Sequence, residues 1–323
     1  LPINQALEIL GGQSDNKTLQ KVLFEVRQDI EGGSSFSDAL AKHPEVFTEL
    51  YVNMVAAGES GGILDLILDR LATYIEKNVK LVRAVKSALV YPTAIIIIAV
   101  LVVVVILWKV IPTFAKLFVG LGAQLPAPTM ITIAISEFIG NYILYIFGII
   151  VALVLLFRWY KSTPNGRLTI DRITLRLPVV GIVMRKIAIA RFCRTLGTLI
   201  SSGVPILEGL EITAKTSGNK VIEEAVMRAR DSVESGKTLS EPLRDSEIFP
   251  QMVVQMVNVG EQTGELDAMV NKVADFYEEE VDAAIADLLA LLEPLIILFL
   301  GATVGWIVIS MYLPIFSIIS EIM

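Results

Sequence analysis

Residues 94–107 contain no polar side chain. They lie inside an apolar run over 92–111, and two further runs follow at 139–157 and 295–313. Each run is about 20 residues long, and at about 1.5 Å rise per residue such a helix matches a hydrocarbon core of about 30 Å. In hydrocarbon every backbone N–H and C=O must be satisfied within the segment, so each run is expected to be a membrane-spanning helix. Composition agrees with that reading. The chain is 54% hydrophobic and 19% charged, whereas a soluble domain carries about 25% charged residues.

The second constraint is an internal repeat. Leu89, Tyr91 and Pro92 open the first run, which closes at Ile111-Pro112-Thr113-Phe114. Leu291, Glu293 and Pro294 open the third, which closes at Leu313-Pro314-Ile315-Phe316. Upstream of each stands a Gly-Glu turn, Gly58-Glu59-Ser60-Gly61-Gly62 and Gly260-Glu261-Gln262-Thr263-Gly264. Further back, Arg27, Glu31, Gly33 and Ser37 recur as Arg230, Glu234, Gly236 and Ser240, and Leu1-Pro2-Ile3 reads like Val204-Pro205-Ile206. A period of about 200 residues describes a tandem domain and not a solenoid.

Within each copy the pattern is helical. Leu19, Val22, Leu23, Val26 and Ile30 recur at three- and four-residue spacing. Gly32 and Gly33 offer the left-handed conformation that ends a helix, and Ser37 is expected to be the N-cap of a short helix that follows. The Gly-Glu turn breaks the chain again, and a long helix from Leu64 runs toward the first span. The second copy opens with an amphipathic helix over 188–203, while the first copy begins at the position equivalent to Val204. The native protein is therefore expected to continue upstream by a helix of similar length.

The expected fold is an all-α membrane protein with two homologous helical-bundle domains and three transmembrane helices. The boundaries are 1–89 for the first domain, 90–112 for span one, 113–138 for an external loop and 139–158 for span two. The second domain then covers 159–290, span three 291–315 and a tail 316–323. The external loop has Lys116 as its base, whereas Arg158, Lys161, Arg167, Arg172 and Arg176 follow span two directly. The positive-inside rule puts 1–89 and 158–290 in the cytoplasm and the tail outside.

Most catalytic chemistry is excluded. Gly236-Lys237-Thr238 looks like the end of a phosphate-binding loop, but Asp231 stands where the first glycine belongs, and a helix precedes it in place of a strand. The repeat places Ser34 at the position of Lys237. With His43 and Cys193 as the sole residues of their types, neither a histidine-paired metal site nor a thiolate cluster is expected. Nothing around His43 resembles a nucleophile elbow. The acidic run Glu278, Glu279, Glu280 and Asp282 reads as a solvated helix face before it reads as a cation site. A net charge of −7 with mixed signs gives no nucleic-acid surface.

Three candidate functional features remain. Gly58, Glu59 and Gly62, with Gly260, Glu261 and Gly264, form corners where a carboxylate near a helix N-terminus is favoured or where a cytoplasmic partner docks. Lys77, Lys80 and Arg83 form a basic stripe before span one, against Glu279 and Asp282 before span three. Two pre-membrane helices facing each other, within the chain or between subunits, would use it for register. Pro92, Glu293 and Pro294 mark where spans begin, and Pro112 and Pro314 where they end. A proline past the first helical turn kinks the helix, which would set the angle between bundle and span.

These features together resemble the PilC/GspF family, the polytopic inner-membrane platform proteins of type IV pilus and type II secretion machines. The resemblance rests on Leu89-Val90-Tyr91-Pro92 and Leu291-Leu292-Glu293-Pro294, on Ile111-Pro112 and Leu313-Pro314, and on both Gly-Glu-x-x-Gly turns. Gly203-Val204-Pro205-Ile206 and Leu121-Gly122-Ala123-Gln124-Leu125-Pro126 also carry it. It implies no catalytic activity and no cofactor or metal. It further implies a multi-pass bacterial inner-membrane protein, forming homo-oligomers in membrane lipid. Its partners would be a hexameric cytoplasmic ATPase, pilin or pseudopilin subunits and inner-membrane alignment proteins, with no nucleic acid. The Leu121–Pro126 segment leans toward the pilus branch over the secretion branch. A transporter permease driven by an external ATPase is the rival of another class, but it should hold charged groups inside its spans. Spans one and three are almost without polar residues, apart from Thr303 and Ser310.

Overall fold

The computed structural model describes residues 1–120 and 125–322, the side chains of 119 and 317–322 excepted. The first copy of the repeat consists of α1 (Ile3–Gln13), α2 (Lys17–Glu31), α3 (Phe36–Ala41), α4 (Glu49–Gly61) and α5 (Leu64–Val105). A π-helical turn at Ile106–Val110 leads into α6 (Ile111–Gly120), followed by α7 (Ala127–Ser162) and α8 (Pro164–Arg176). Then come α9 (Val180–Ser201), α10 (Ile206–Thr216), α11 (Lys220–Glu234), α12 (Ser240–Asp245), α13 (Gln251–Thr263) and α14 (Leu266–Ile322). No strand occurs among the described residues. Three helical stretches, Leu64–Phe118, Ala127–Ser162 and Leu266–Phe316, are long and apolar enough to cross a membrane.

The repeat is reproduced helix by helix. α1 and α10 are both 11 residues long, α2 and α11 both 15, α3 and α12 both 6, and α4 and α13 both 13. Local chemistry sets these ends. The Asn16 side chain accepts the N–H groups of Thr18 and Leu19, and Asn219 accepts those of Val221 and Ile222. An Asn N-cap of this kind satisfies donors that no helical carbonyl reaches. Gly33 and Gly236 follow α2 and α11 at φ +96° and +85°. The cap of α3 is Ser35, which accepts the Asp38 N–H. Ser37, expected in that role, lies two residues further on, within the first turn, where its hydroxyl is bound elsewhere.

The chain divides into two compact units. One comprises Leu1–Val82 with Asp171–Asp282, and the other Arg83–Ile170 with Ala283–Met323. In the first unit the copies share their interior. Leu40, Met54, Ile67 and Leu71 of the first copy are buried together with Leu199, Val204 and Ile212. A second core gathers Phe192, Leu196, Leu210, Ile222, Val253 and Val270. α9 serves both, through Leu199 and through Phe192 and Leu196. Each large apolar side chain so buried contributes about 1.5–3 kcal/mol. The helix before the second copy is therefore the seam between the copies and not an addition to one of them.

In the second unit Leu107, Ile111 and Ile307 are buried, with Ile133, Ile139 and Met311 against them. The connection expected as a loop over 113–138 is helical in most of its described part. Thr129, Thr132 and Ser136 are spaced at helical intervals and almost wholly buried. The Thr129 hydroxyl donates to the Ser310 carbonyl and the Ser136 hydroxyl to that of Leu107, while Trp306 Nε1 donates to Thr132 Oγ1 at 3.1 Å. Small hydroxyl residues let helices approach closely and bond across an apolar interface, so a stripe that looks loop-like in composition is a packing face. Of the pattern Leu121-Gly122-Ala123-Gln124-Leu125-Pro126, the first four residues lie outside the described ones. Of the expected tail 316–323, the backbone is helical to Ile322.

Candidate functional site

Each Gly-Glu turn is accounted for by its own packing. Glu59 Oε1 accepts the Phe36 N–H at 2.7 Å, and Oε2 accepts the Ser37 N–H at 2.9 Å and the Ser37 hydroxyl at 2.6 Å. Glu261 takes the N–H of Leu239 through Oε1 and that of Ser240 through Oε2, the latter at 3.1 Å. A carboxylate therefore covers the N-terminus of the short helix α3 or α12, where free N–H groups and the helix dipole favour it. Gly58 and Gly260 let the next helix pass close. A Cβ on Gly58 would lie 2.8 Å from Ile67 Cγ1, and one on Gly260 would lie 2.7 Å from Leu266 Cα. Gly62 and Gly264 end α4 and α13 at φ +68° and +78°, as left-handed C-caps do. What these corners present outward is Ser60, Gly61 and Gly62 in one copy and Gln262, Thr263 and Gly264 in the other, all exposed.

The pre-membrane stripe brings Lys77 to acidic residues of α14. Lys77 Nζ lies 2.7 Å from Asp275 Oδ1 and 3.7 Å from Glu278 Oε2. Arg194 of α9 completes the group, 2.7 Å from Glu278 Oε1 and also bonded to Asp275. Burial acts to lower the Arg194 pKa. Its bonds to Glu278 and then Asp275 outweigh burial and hold the guanidinium above its usual value. Tyr74 on α5 also bonds Thr195 at 3.2 Å. The clamp thus joins α5, α9 and α14 within the first unit. No ion pair is recorded among the described residues for Lys80, Arg83, Glu279 or Asp282. Arg194 was not singled out from the sequence. The available signal was a guanidinium set directly among Phe192, Cys193, Thr195 and Leu196, all apolar or small.

Among the described residues no group of three or more His, Cys, Asp or Glu could hold a metal ion. Two members of the acidic run are engaged by cations, Glu278 by Arg194 and Glu280 by Lys186 at 2.7 Å.

Residues 1–112 and 192–314 match the family described as type II secretion system (T2SS), protein F. The two matched stretches are the two copies, each a helical bundle running into a span, and together they cover most of the chain. The chain belongs to this family. It is 51% identical over 322 residues to a type IV pilus assembly protein PilC of Myxococcus xanthus, covering 100% of this chain and 77% of that one. It is 48% identical to the PilC of Thermus thermophilus, covering 100% and 79%. It is 33% identical to a type II secretion system protein F of Vibrio cholerae, covering 98% and 78%. These relatives are named for assembly and secretion and not for a reaction. A secretion-F family member with three such apolar helices is an inner-membrane protein.

The prolines at the span starts of this family member lie well inside long helices. Pro92 is within α5, and Pro294 and Pro314 are within α14, while Pro112 follows the π turn in the first turn of α6. Proline has no N–H, so each interior one frees a carbonyl four residues earlier.

Proposed function

We propose that this chain is the inner-membrane platform of a type IV pilus machine, coupling a cytoplasmic assembly or retraction ATPase to the insertion or extraction of pilin subunits. The observation that carries the branch is identity. Pilus assembly proteins match at 51% and 48% over the whole chain, against 33% for the secretion protein of Vibrio cholerae. The platform of a type II secretion system is the second reading, supported by the family's own description.

In this proposal both helical copies are cytoplasmic, the chain ends outside, and the protein has no catalytic activity of its own. Residues of both copies pack into the first core and α9 links it to the second, so a force applied to one copy is transmitted to the other without crossing a flexible linker. The Arg194 clamp would hold the two pre-membrane helices in register under load. The exposed rims of the Gly-Glu corners are the docking candidates for the hexameric ATPase. The spans would meet pilins, alignment proteins, lipid and further copies of the chain.

Deleting the gene and counting surface pili and secreted protein tests the branch. Loss of pili with secretion intact is expected, and the reverse result selects the secretion platform. Photo-cross-linkers at Ser60 and Gln262 in living cells test the docking. They should trap the ATPase, and silence at both corners would move the contact elsewhere.

A further inference from the structure

Within the second unit, a groove of about 430 Å³ runs where the first and third spans begin. Tyr91 and Glu293 both line it. They hold equivalent positions in the two copies, each immediately before the interior proline of its helix. Pro92 leaves the carbonyl of Ala88 without its helical donor, and Pro294 does the same for Ala290. Ala88 and Ala290 line the same groove. The duplicated motif therefore brings a carboxylate, a phenol and the two alanines whose carbonyls lack a helical donor to one groove. The remaining walls include Ile95, Ile296 and Leu300, and no Lys or Arg lines the groove.

The carboxylate and the carbonyls here are acceptors, the Tyr91 phenol can both donate and accept, and the one charge is negative. A carboxylate at the start of an apolar helix is costly in lipid unless a cation meets it, and such residues mark functional paths. No ion pair or hydrogen bond is recorded for Glu293 among the described residues. The complementary ligand has several N–H donors, a positive charge and an apolar body. An ammonium group has three donors and no acceptor. Two backbone carbonyls and a carboxylate would satisfy them, and the apolar walls would take the chain that carries it.

We propose that this groove binds the ammonium group at the membrane-boundary end of an apolar helix inserted in the same bilayer. The inference rests on the proposed platform role, since it names the chemistry by which that platform would grip a membrane-embedded subunit. The carboxylate supplies specificity, because a neutral helix end leaves it unpaired.

The test uses the full chain in lipid nanodiscs and a synthetic Leu/Ala helix of about 20 residues, labelled at its far end. The peptide is made once with a free amino-terminal amine and once acetylated. The free amine should bind about tenfold or more tightly than the acetylated form. Glu293→Gln should abolish that preference, and Pro92→Ala or Pro294→Ala, which restore a helical donor to Ala88 or Ala290, should reduce it several-fold. Equal binding of both peptides to the native chain, as a lipid tail or a plain apolar helix in the groove would give, overturns the proposal. A preference that survives Glu293→Gln also overturns it. Neither result touches the pilus count or the corner cross-links, so the platform reading and this site fail separately.

Discussion

The carboxylate of Glu59 accepts both the backbone N–H and the hydroxyl of Ser37, at 2.9 and 2.6 Å. The equivalent pair in the second copy shares only the backbone bond, from Ser240 to Glu261 at 3.1 Å. The repeat thus conserves a capping carboxylate but not its third bond. Glu59→Ala should cost about 2–3 kcal/mol, since hydrogen bonds to a charged group are each worth about 1.5–3 kcal/mol and are not additive. Ser37→Ala should cost about 1 kcal/mol, and Ser240→Ala distinctly less. Urea unfolding of the detergent-solubilised protein measures the difference, and equal losses for the two serines would contradict it.

The glycines before these carboxylates differ in what a methyl group would strike. At Gly58 the nearest atoms are side-chain ones, Ile67 Cγ1 at 2.8 Å and Cβ at 3.0 Å, whereas at Gly260 the nearest is a backbone atom, Leu266 Cα, at 2.7 Å. Overpacking costs about 1–3 kcal/mol when neighbours must shift. Gly260→Ala should fall at the upper end of that range and Gly58→Ala at the lower. Thermal melts of the two variants check the order.

The corners show how far a sequence of this kind can be read. Gly58, Glu59 and Gly62 are legible as a helix corner because glycine spacing and a charged residue are local signals. The helix that Glu59 caps is α3, which lies more than twenty residues earlier in the chain, and only packing brings the two together. Ser37 looked like a cap for the same reason: its hydroxyl precedes a short apolar segment, yet Ser35 takes the role and frees Ser37 for Glu59. The repeat places Glu279 and Asp282 at the positions of Lys77 and Lys80. Repeat alignment finds equivalent positions, and contact is a different relation. Lys77 meets Asp275 and Glu278, with α9 and Arg194 beside them. The span starts were legible as prolines, but not that Tyr91 and Glu293 line one groove.

Burial separates the members of that clamp. The Arg194 and Glu278 side chains are 11% and 24% exposed, while those of Lys77 and Asp275 are 35% and 57% exposed. Exposed pairs are worth about 0–1 kcal/mol, whereas removing one partner of a sheltered pair leaves a charge without compensation. A double-mutant cycle on Arg194 and Glu278, each changed to Met or Gln, should give a coupling of about 1–3 kcal/mol. The same cycle on Lys77 and Asp275 should stay below about 1 kcal/mol and shrink further in high salt. The reverse ranking would mean that α5 and not α9 anchors the acidic face of α14.

Beside Arg194 stands Cys193, wholly buried in the second core. Burial pushes its thiol well above the usual range, and the charge of Arg194 draws it back only in part. The thiolate is the reactive form of cysteine, so access and ionisation both protect this one. Maleimide at pH 8 should leave the folded protein unmodified over hours and label it fully once urea has unfolded the first unit. Because Cys193 lies in the second core, on the helix whose Leu199 enters the core shared with the first copy, its labelling reports loss of the α9 packing. Glu59→Ala weakens the first copy and should speed labelling only if the copies unfold together, as their common core requires. Mass spectrometry of labelled protein against time reads this directly. An unchanged labelling rate in a variant whose melt has shifted would show that the first copy opens alone, with α9 still packed on the second.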